Sequence, residues 1–316
     1  MTESYIPAPY ITKIINDGIR QKKRKIAKPK FFPDQCVHHA LIQIVKPYFM
    51  RGMYYYCCGS VEDRGDKRIV RATRLWIKNK PGKSKYVLKM DVRHFYETLN
   101  HEKLMACIEK KIKDPKVLRL CRLIIESYAI GAPIGNFTSP WFSNLSMEDV
   151  DHKIKEFTGR DCLYTRYVDD MVIIGPNKRK LHKTRAMIAE LLSEKGLEMK
   201  SNWQVFRLED RPLDFVGYKF YADGHVEIRK TILKRIKRKA RKIEKMGDAV
   251  DGRNAAGMMA YMGRIHHSDS EYLFKTQIEP RIGGTKKLRR IISHERKLQR
   301  KTGRSLDRNI QRHSGK

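Results

Sequence analysis

A chain of 316 residues that is 41% hydrophobic and 9% aromatic carries enough apolar material for one large or two ordinary packed domains, which excludes a disordered polyelectrolyte. Its 68 Lys and Arg against 35 Asp and Glu leave a formal charge of +33. A surplus of that size attracts polyanions at long range, nucleic acid above all. The surplus is concentrated late: residues 231–316 hold 24 basic and 8 acidic side chains. Six cysteines (Cys36, Cys57, Cys58, Cys107, Cys121, Cys162) show no metal-ligand spacing, and the adjacent pair is poorly placed to bond to itself. They read as reduced thiols of an intracellular protein. No apolar run is long enough to cross a membrane, and MTESYIPAPY lacks the features of a leader peptide, so a cytoplasmic protein without a membrane partner is expected.

Residues 1–85 are mixed and basic. Within them 40–45 (ALIQIV) predicts the buried end of a helix that stops at Pro47, and 59–71 (GSVEDRGDKRIVR) a polar loop or hairpin. Residues 86–92 (YVLKMDV) predict a strand carrying the carboxylate Asp91 at its end. Asn100 then caps a helix with Leu104, Ile108 and Ile112 on one face. A second helix covers 115–129, stopped by Gly131 and Pro133, and a third runs through Val150, Ile154 and Phe157. Segments 162–167 and 170–175 predict two strands about a bend that holds Asp169 and Asp170. A helix over 180–195 and a short hairpin over 213–220 and 225–229 follow. From Thr231 the pattern is helical and basic, with Ile232, Ile236, Ala240 and Ile243 as its apolar stripe. That order predicts an α+β core with an all-α appendage.

The chemistry lies in the carboxylates. Nucleotidyl transfer uses two divalent ions about 3.5–4 Å apart, and Mg²⁺ takes hard oxygen ligands while keeping some waters. Asp91 at a strand end and Asp169-Asp170 at a hairpin bend supply such ligands if the strands are neighbours. Alone, a Val-Asp-Asp turn is more often a solvated bend.

Four segments in order change that. Tyr167-Val168-Asp169-Asp170, between two apolar strands, resembles the YxDD hairpin of reverse transcriptases, and 91–96 (DVRHFY) matches their upstream D-x-x-x-[FY]-[FY] segment. Residues 131–144 (GAPIGNFTSPWFSN) are similar to the template- and nucleotide-contacting loop of the same enzymes, and 215–218 (FVGY) looks like their primer-grip hairpin. The resemblance implies an α+β right-hand polymerase with an antiparallel palm sheet and an all-α basic thumb. Its parts would be fingers over 1–85, palm over 86–229 with a helical insertion at 100–130, thumb over 230–282 and a basic tail over 283–316.

The activity implied is that of an RNA-directed DNA polymerase. Its cofactor is two Mg²⁺ ions, with Mn²⁺ as a substitute, and Asp91, Val92, Asp169 and Asp170 form the metal set. Lys200 resembles the general acid for the pyrophosphate leaving group. The incoming nucleotide falls to Lys22, Arg24, Tyr96, Ile134 and Gly135, although the run 22–26 (KKRKI) also fits a solvated basic face. Arg68 and Arg71 are further candidates. Tyr96, the fifth residue after Asp91, is bulky enough to clash with a ribose 2′ hydroxyl and so points to DNA as product; it fits a core tyrosine as well. Primer and template fall to Tyr167, Phe215, Gly217, Tyr218, Lys234, Arg235 and Arg238. The tail is either a second RNA-binding element or an arm that orders on its partner. His38-His39 and His266-His267 read as structural or RNA-facing. The partners implied are an RNA template, a DNA or RNA primer and dNTPs.

Ile134 stands where most reverse transcriptases carry Gln, and Gly135-Asn136 follow it. That resembles the enzymes of bacterial and phage diversity-generating retroelements. It implies error-prone copying of a dedicated non-coding RNA, with a small accessory protein or a homo-oligomer, in a bacterial host or from a phage. Ser139-Pro140 departs from the SQ usual in that group. Related enzymes of bacterial anti-phage defence share the pattern, so a defence role stays open.

Overall fold

The computed structural model describes residues 5–17 and 22–302. Ile11–Asp17 (β1) and Lys22–Lys28 (β2) form an antiparallel ribbon, with Ile15 opposite Arg24. No strand was predicted here. Ile11 and Ile14 stay exposed and β2 reads KKRKIAK, so the alternation of a half-buried strand is missing.

Two helices follow, Cys36–Gly52 (α1) and Gly65–Asn79 (α2), and both correct the sequence expectation. Helix α1 continues through Pro47 instead of stopping there. Val45 before the proline and Phe49 after it are both buried in the core, which outweighs the roughly 3 kcal/mol that an interior proline costs. Helix α2 takes over the second half of the segment expected to be a loop. Its buried stripe is Ile69, Val70, Thr73 and Ile77, and the last two lie beyond residue 71, which hid the period.

The core of the first unit comprises Tyr86–Arg93 (β3), His101–Lys111 (α3), Pro115–Glu126 (α4), Ser139–Ser146 (α5), Glu148–Thr158 (α6), Leu163–Tyr167 (β4), Asp170–Gly175 (β5), Lys178–Glu194 (α7), Glu198–Met199 (β6), Gln204–Arg207 (β7) and Leu213–Phe215 (β8). The predicted Asn100 cap is present, and Asp114 caps the next helix. The Asn100 side chain accepts from the Lys103 amide at 3.0 Å, and Asp114, ahead of Pro115, accepts from Lys116 and Val117. In α6, Val150 and Ile154 are buried as expected, whereas Phe157 faces outward.

Strand β3 lies at the centre of an antiparallel sheet. Along one edge it pairs with β5, which pairs in turn with β4; along the other it pairs first with β7 and then with β6. Leu88, Met90 and Val92 point into the main apolar cluster with Met171 and Ile173 of β5 and with Leu181, Ile188 and Leu192 of α7. The two-residue period leaves Lys89, Asp91 and Arg93 on the opposite, more open face.

The second compact unit takes 217–220 and the described residues from 225 on. It holds the antiparallel pair Tyr218–Phe220 (β9) and Val226–Ile228 (β10), then Lys230–Met246 (α8), Gly252–His266 (α9), Glu271–Leu273 (α10), Glu279–Ile282 (α11) and Gly284–Thr302 (α12). Residues 221–224 group with the first unit. Helix α8 buries the four predicted residues Ile232, Ile236, Ala240 and Ile243.

The basic tail is helical as far as residue 302. Helix α12 packs along α9, buries Leu288 completely, and its Glu295 accepts from the Gly252 amide at 2.6 Å, capping the start of α9. Residues 303–316 of that tail lie outside the described residues. Among the described residues no helix is long and apolar enough to cross a membrane. All six cysteines are free, with Cys57, Cys58, Cys121 and Cys162 buried.

Candidate active site

The antiparallel register of β3 and β5 sets Asp91 directly opposite Asp170. The β4–β5 hairpin pairs Tyr167 with Asp170, so Val168 and Asp169 form the two-residue turn between them. The Val92 amide donates to the Asp169 carbonyl at 3.2 Å, which draws the turn against the end of β3. Three carboxylates therefore meet on the open face. Burial, followed by the charges of Asp91 and Asp170, pushes the Asp169 carboxyl up to about 7. The Lys200 ammonium forms an ion pair with Asp91, and its amide donates to the Asp91 carbonyl at 2.9 Å. Lys200, expected near a leaving group, is thus brought to the carboxylate cluster itself.

Among the described residues no group of three or more His, Cys, Asp and Glu side chains forms a complete ligand set for one ion. Mg²⁺ does not require one, because it binds through one or two carboxylates plus water and substrate phosphates. The donors are hard oxygens, and a carboxyl held near neutrality by its neighbours is what a divalent cation would relieve, so the residues fit such an ion. A testable consequence follows from the sign of the shift. A carboxyl raised above its unfolded value stabilises the fold fully below the ordinary carboxylate range and loses that contribution as pH rises through about 7. Without added metal, the melting temperature should fall from pH 5 to pH 8 more steeply in the wild type than in Asp169→Asn. Mg²⁺ should raise it at pH 8 and barely at pH 5. Equal slopes in the two proteins would refute the coupling.

The nucleotide-side candidates converge through the backbone. Tyr96 follows β3, and its carbonyl accepts from the Ala132 amide at 2.7 Å. Gly131, at φ +68, passes so close that a Cβ would run into the Tyr96 carbonyl. The Ile134 carbonyl accepts from the Ala27 amide at 2.9 Å, and a Cβ on Gly135 (φ +132) would stand 2.5 Å from the Ala27 carbonyl. Strand β2 is thereby latched to the loop that carries Ile134. Arg24 lies three residues before Ala27 on β2, with its side chain exposed. Lys22 opens the same strand, but its side chain lies outside the described residues. The Tyr96 and Ser143 hydroxyls hydrogen-bond, and burial raises the Tyr96 phenol above its usual range.

Other candidates part company. Phe215 and Tyr218 are 0% and 1% exposed, so their rings pack inside the protein, where apolar area is worth more than on an open turn. Between them Val216 and Gly217 have φ of +43 and +91, and a Cβ on Gly217 would lie 2.7 Å from the Arg264 guanidinium and from Ile232. In the second unit Arg235 and Arg238 line a groove of about 380 Å³ with Lys239, Lys242 and Tyr261, while Lys234 lies outside it. Arg68 and Arg71 sit on α2, not in a loop, and Arg68 stacks over Tyr55 at 4.5 Å. His39 stacks on Phe137 at 3.6 Å, and buried His38 is pushed down to about 4 by desolvation.

Sequence reasoning missed α5 and what it carries. The segment SPWFSNLS is buried on nearly every side, so it shows no amphipathic period, and Pro140 at its start reads as a loop. Its Asn144, with Arg166 and Asp151, forms a buried polar network beneath the carboxylate turn.

Comparison with known proteins bears on the same segments. Retron Ec86 reverse transcriptase of Escherichia coli is 24% identical over 121 residues, 37% of this chain and 36% of that protein. Protein YkfC of Escherichia coli strain K12 is 21% identical over 134 residues, 39% of this chain and 35% of its own length. The matches thus span about a third of these relatives. Apo telomerase from Candida tropicalis superposes with a TM-score of 0.59 at 13% identity, over 98% of this chain and 69% of that one. Telomerase from Candida albicans with a fragment of telomeric RNA gives 0.52 at 14%, over 94% and 56%. At such identities the likeness is one of fold, and it is the right-hand polymerase fold. The sequence profile described as reverse transcriptase (RNA-dependent DNA polymerase) matches residues 24–220, from the basic ribbon through the carboxylate hairpin to β9. With the matched segment covering most of the chain and containing the paired strands that join Asp91 to Asp170, the protein belongs to the reverse transcriptase family.

Proposed function

We propose that the protein is an RNA-directed DNA polymerase, carrying its chemistry on Asp91, Asp169 and Asp170. The observation that carries the reading is the register of β3 against β5, which gathers three acids on the open face of a sheet in a chain of formal charge +33. Nothing in nucleic-acid binding alone asks for clustered acids there. Two divalent ions, when bound, would activate the attacking 3′ hydroxyl and neutralise the triphosphate. The three carboxylates, with Val92 beside them, would hold those ions. Lys200 is poised at the same cluster to neutralise charge or supply a proton to the leaving group. Tyr96 and the loop 131–136 would shape the nucleotide pocket, and Arg24 with Lys22 would meet its phosphates from β2.

In this reading β1, β2, α1 and α2 form the fingers, the five-stranded sheet the palm, and α8 to α12 the thumb. The groove of Arg235, Arg238, Lys239 and Lys242 would track a duplex backbone. An RNA template is the natural partner. One of the telomerase structures similar in fold holds RNA, and the Escherichia coli relative is a retron reverse transcriptase. The test is primer extension on a mixed-sequence RNA template with Mg²⁺, supplying dNTPs and rNTPs separately. A metal-dependent DNA product supports the reading, and absence of product on every simple template and primer counts against it.

Ile134 supports error-prone synthesis of the kind found in diversity-generating retroelements, because an apolar side chain there offers no hydrogen bond to a nascent pair. Ile134→Gln is expected to lower misincorporation opposite template adenine about tenfold, as read by product sequencing. An unchanged error spectrum would remove Ile134 as the cause. Ser139-Pro140 favours a second reading, a reverse transcriptase of an anti-phage system acting with a dedicated non-coding RNA. A wild-type error pattern without adenine bias would favour it.

A further inference from the structure

Arg166 is the largest fully buried side chain among the described residues. A charge so placed must be matched on every side. Its Nε and Nη2 donate to the two carboxylate oxygens of Asp151 at 2.7 and 2.6 Å, and the Tyr164 hydroxyl donates to the same carboxylate at 2.6 Å. The remaining nitrogen reaches elsewhere. Nη1 donates to the Asn144 Oδ1 at 3.0 Å and to the backbone carbonyl of Val168 at 2.8 Å.

Val168 is the first residue of the turn that presents Asp169, and its φ is +59, a region that β-branched residues rarely adopt. The other side of that turn rests on Gly59. A Cβ at Gly59 would overlap the Val168 side chain and stand 2.5 Å from its amide nitrogen. Asn144 joins the two supports, because its Nδ2 donates to the Gly59 carbonyl at 2.7 Å while its Oδ1 accepts from Arg166. The Cys58 amide donates to the Arg166 carbonyl at 2.9 Å, and the Arg166 amide to Tyr56 at 3.0 Å, so 56–59 is strapped along β4.

A buried ion pair is not needed for stability, since apolar residues of similar volume often serve as well. What arginine adds is a fork with donors to spare: one edge grips Asp151 while another N–H extends to the turn. We infer that Arg166 is a positioning residue, which with Asn144 and Gly59 holds the Val168–Asp169 turn in its strained conformation and so fixes where the carboxylate oxygens face a divalent ion. The inference rests on the polymerase reading for the identity of the site, but ion binding can be measured without turnover.

Three variants of the full chain test it. Asp151→Asn/Arg166→Met removes the buried charges together, Arg166→Lys keeps a cation for Asp151 without the fork, and Gly59→Ala leaves the pair intact and presses on the turn from the other side. Mn²⁺ affinity is read from the electron paramagnetic resonance of the free ion, alongside thermal melts and metal-free duplex binding. Mn²⁺ binding is expected to weaken at least ~10-fold in all three, with duplex affinity within about twofold of wild type and Mg²⁺-dependent kcat falling far more than KM for dNTP changes. Wild-type Mn²⁺ affinity in the folded double variant would overturn the inference. Loss of fold in all three would also overturn it, by making Arg166 a stability residue alone. A wild type that binds Mn²⁺ yet extends no primer would count against the polymerase reading and leave the comparison of variants intact.

Discussion

Primer extension by Asp169→Ala/Asp170→Ala is expected to fall by roughly 10⁴-fold or more relative to wild type. The register of β3 and β5 sets Asp91 opposite Asp170, and the turn places Asp169 beside them. Removing two of three would take most of the oxygen donors from the ions that the proposed reaction would use. The protein should not pay for the change in stability. Asp169 is held up to about 7 by burial and by two like charges, so its deletion relieves repulsion, and at pH 8 the variant should melt at or above the wild-type temperature. Single-turnover rates with thermal melts distinguish the outcomes. Activity that survives the double substitution would place the chemistry elsewhere, and activity lost in step with melting temperature would mean a damaged fold.

Tyr96→Ala should lower the preference for dNTPs over rNTPs, as the ratio of kcat/KM values, by roughly 100-fold. The Tyr96 carbonyl accepts from the Ala132 amide at 2.7 Å, which ties the residue to the loop beside the carboxylate turn. Emptying that volume would admit a 2′ hydroxyl. Tyr96→Phe keeps the ring and loses only the hydroxyl contact, so its discrimination should remain within about threefold of wild type. Truncating a largely buried aromatic will also cost stability, about 3–5 kcal/mol by the usual range. The ratio is insensitive to the folded fraction, because both substrates meet the same protein. A ratio unchanged in Tyr96→Ala would make the residue a packing tyrosine and nothing more.

The parts of the site legible in the sequence were those with a local signature. Asp91 ends a β-prone run, and Asp169-Asp170 interrupt two apolar strands. Both signals survive folding because a strand alternates and a hairpin bends in predictable ways. The stripe Ile232, Ile236, Ala240 and Ile243 was equally plain, since one helical face is apolar and the rest charged. What escaped was set by tertiary context. Helix α5 is buried all round and has no period to show. Pro47 would end a helix in water but is carried through by burial on either side. Arg166 precedes the YxDD string and reads as one more basic residue among 68, and only the fold shows that it faces Asp151 rather than nucleic acid. The burial of the Phe215 and Tyr218 rings was hidden for the converse reason. Aromatic side chains beside a turn are drawn inward, which a motif of residue types does not show.

The two side chains expected to choose the nucleotide share one trait of their mounting. Tyr96 is held by a backbone bond to Ala132, and Ile134 by a backbone bond to Ala27, with glycines at 131 and 135 making the close approach possible. Neither bond involves the side chain that would do the selecting. Substitution at 96 or 134 therefore leaves in place the two backbone bonds that aim these positions. Accuracy and sugar preference become adjustable traits in such a design, each open to selection one codon at a time while the scaffold stays constant.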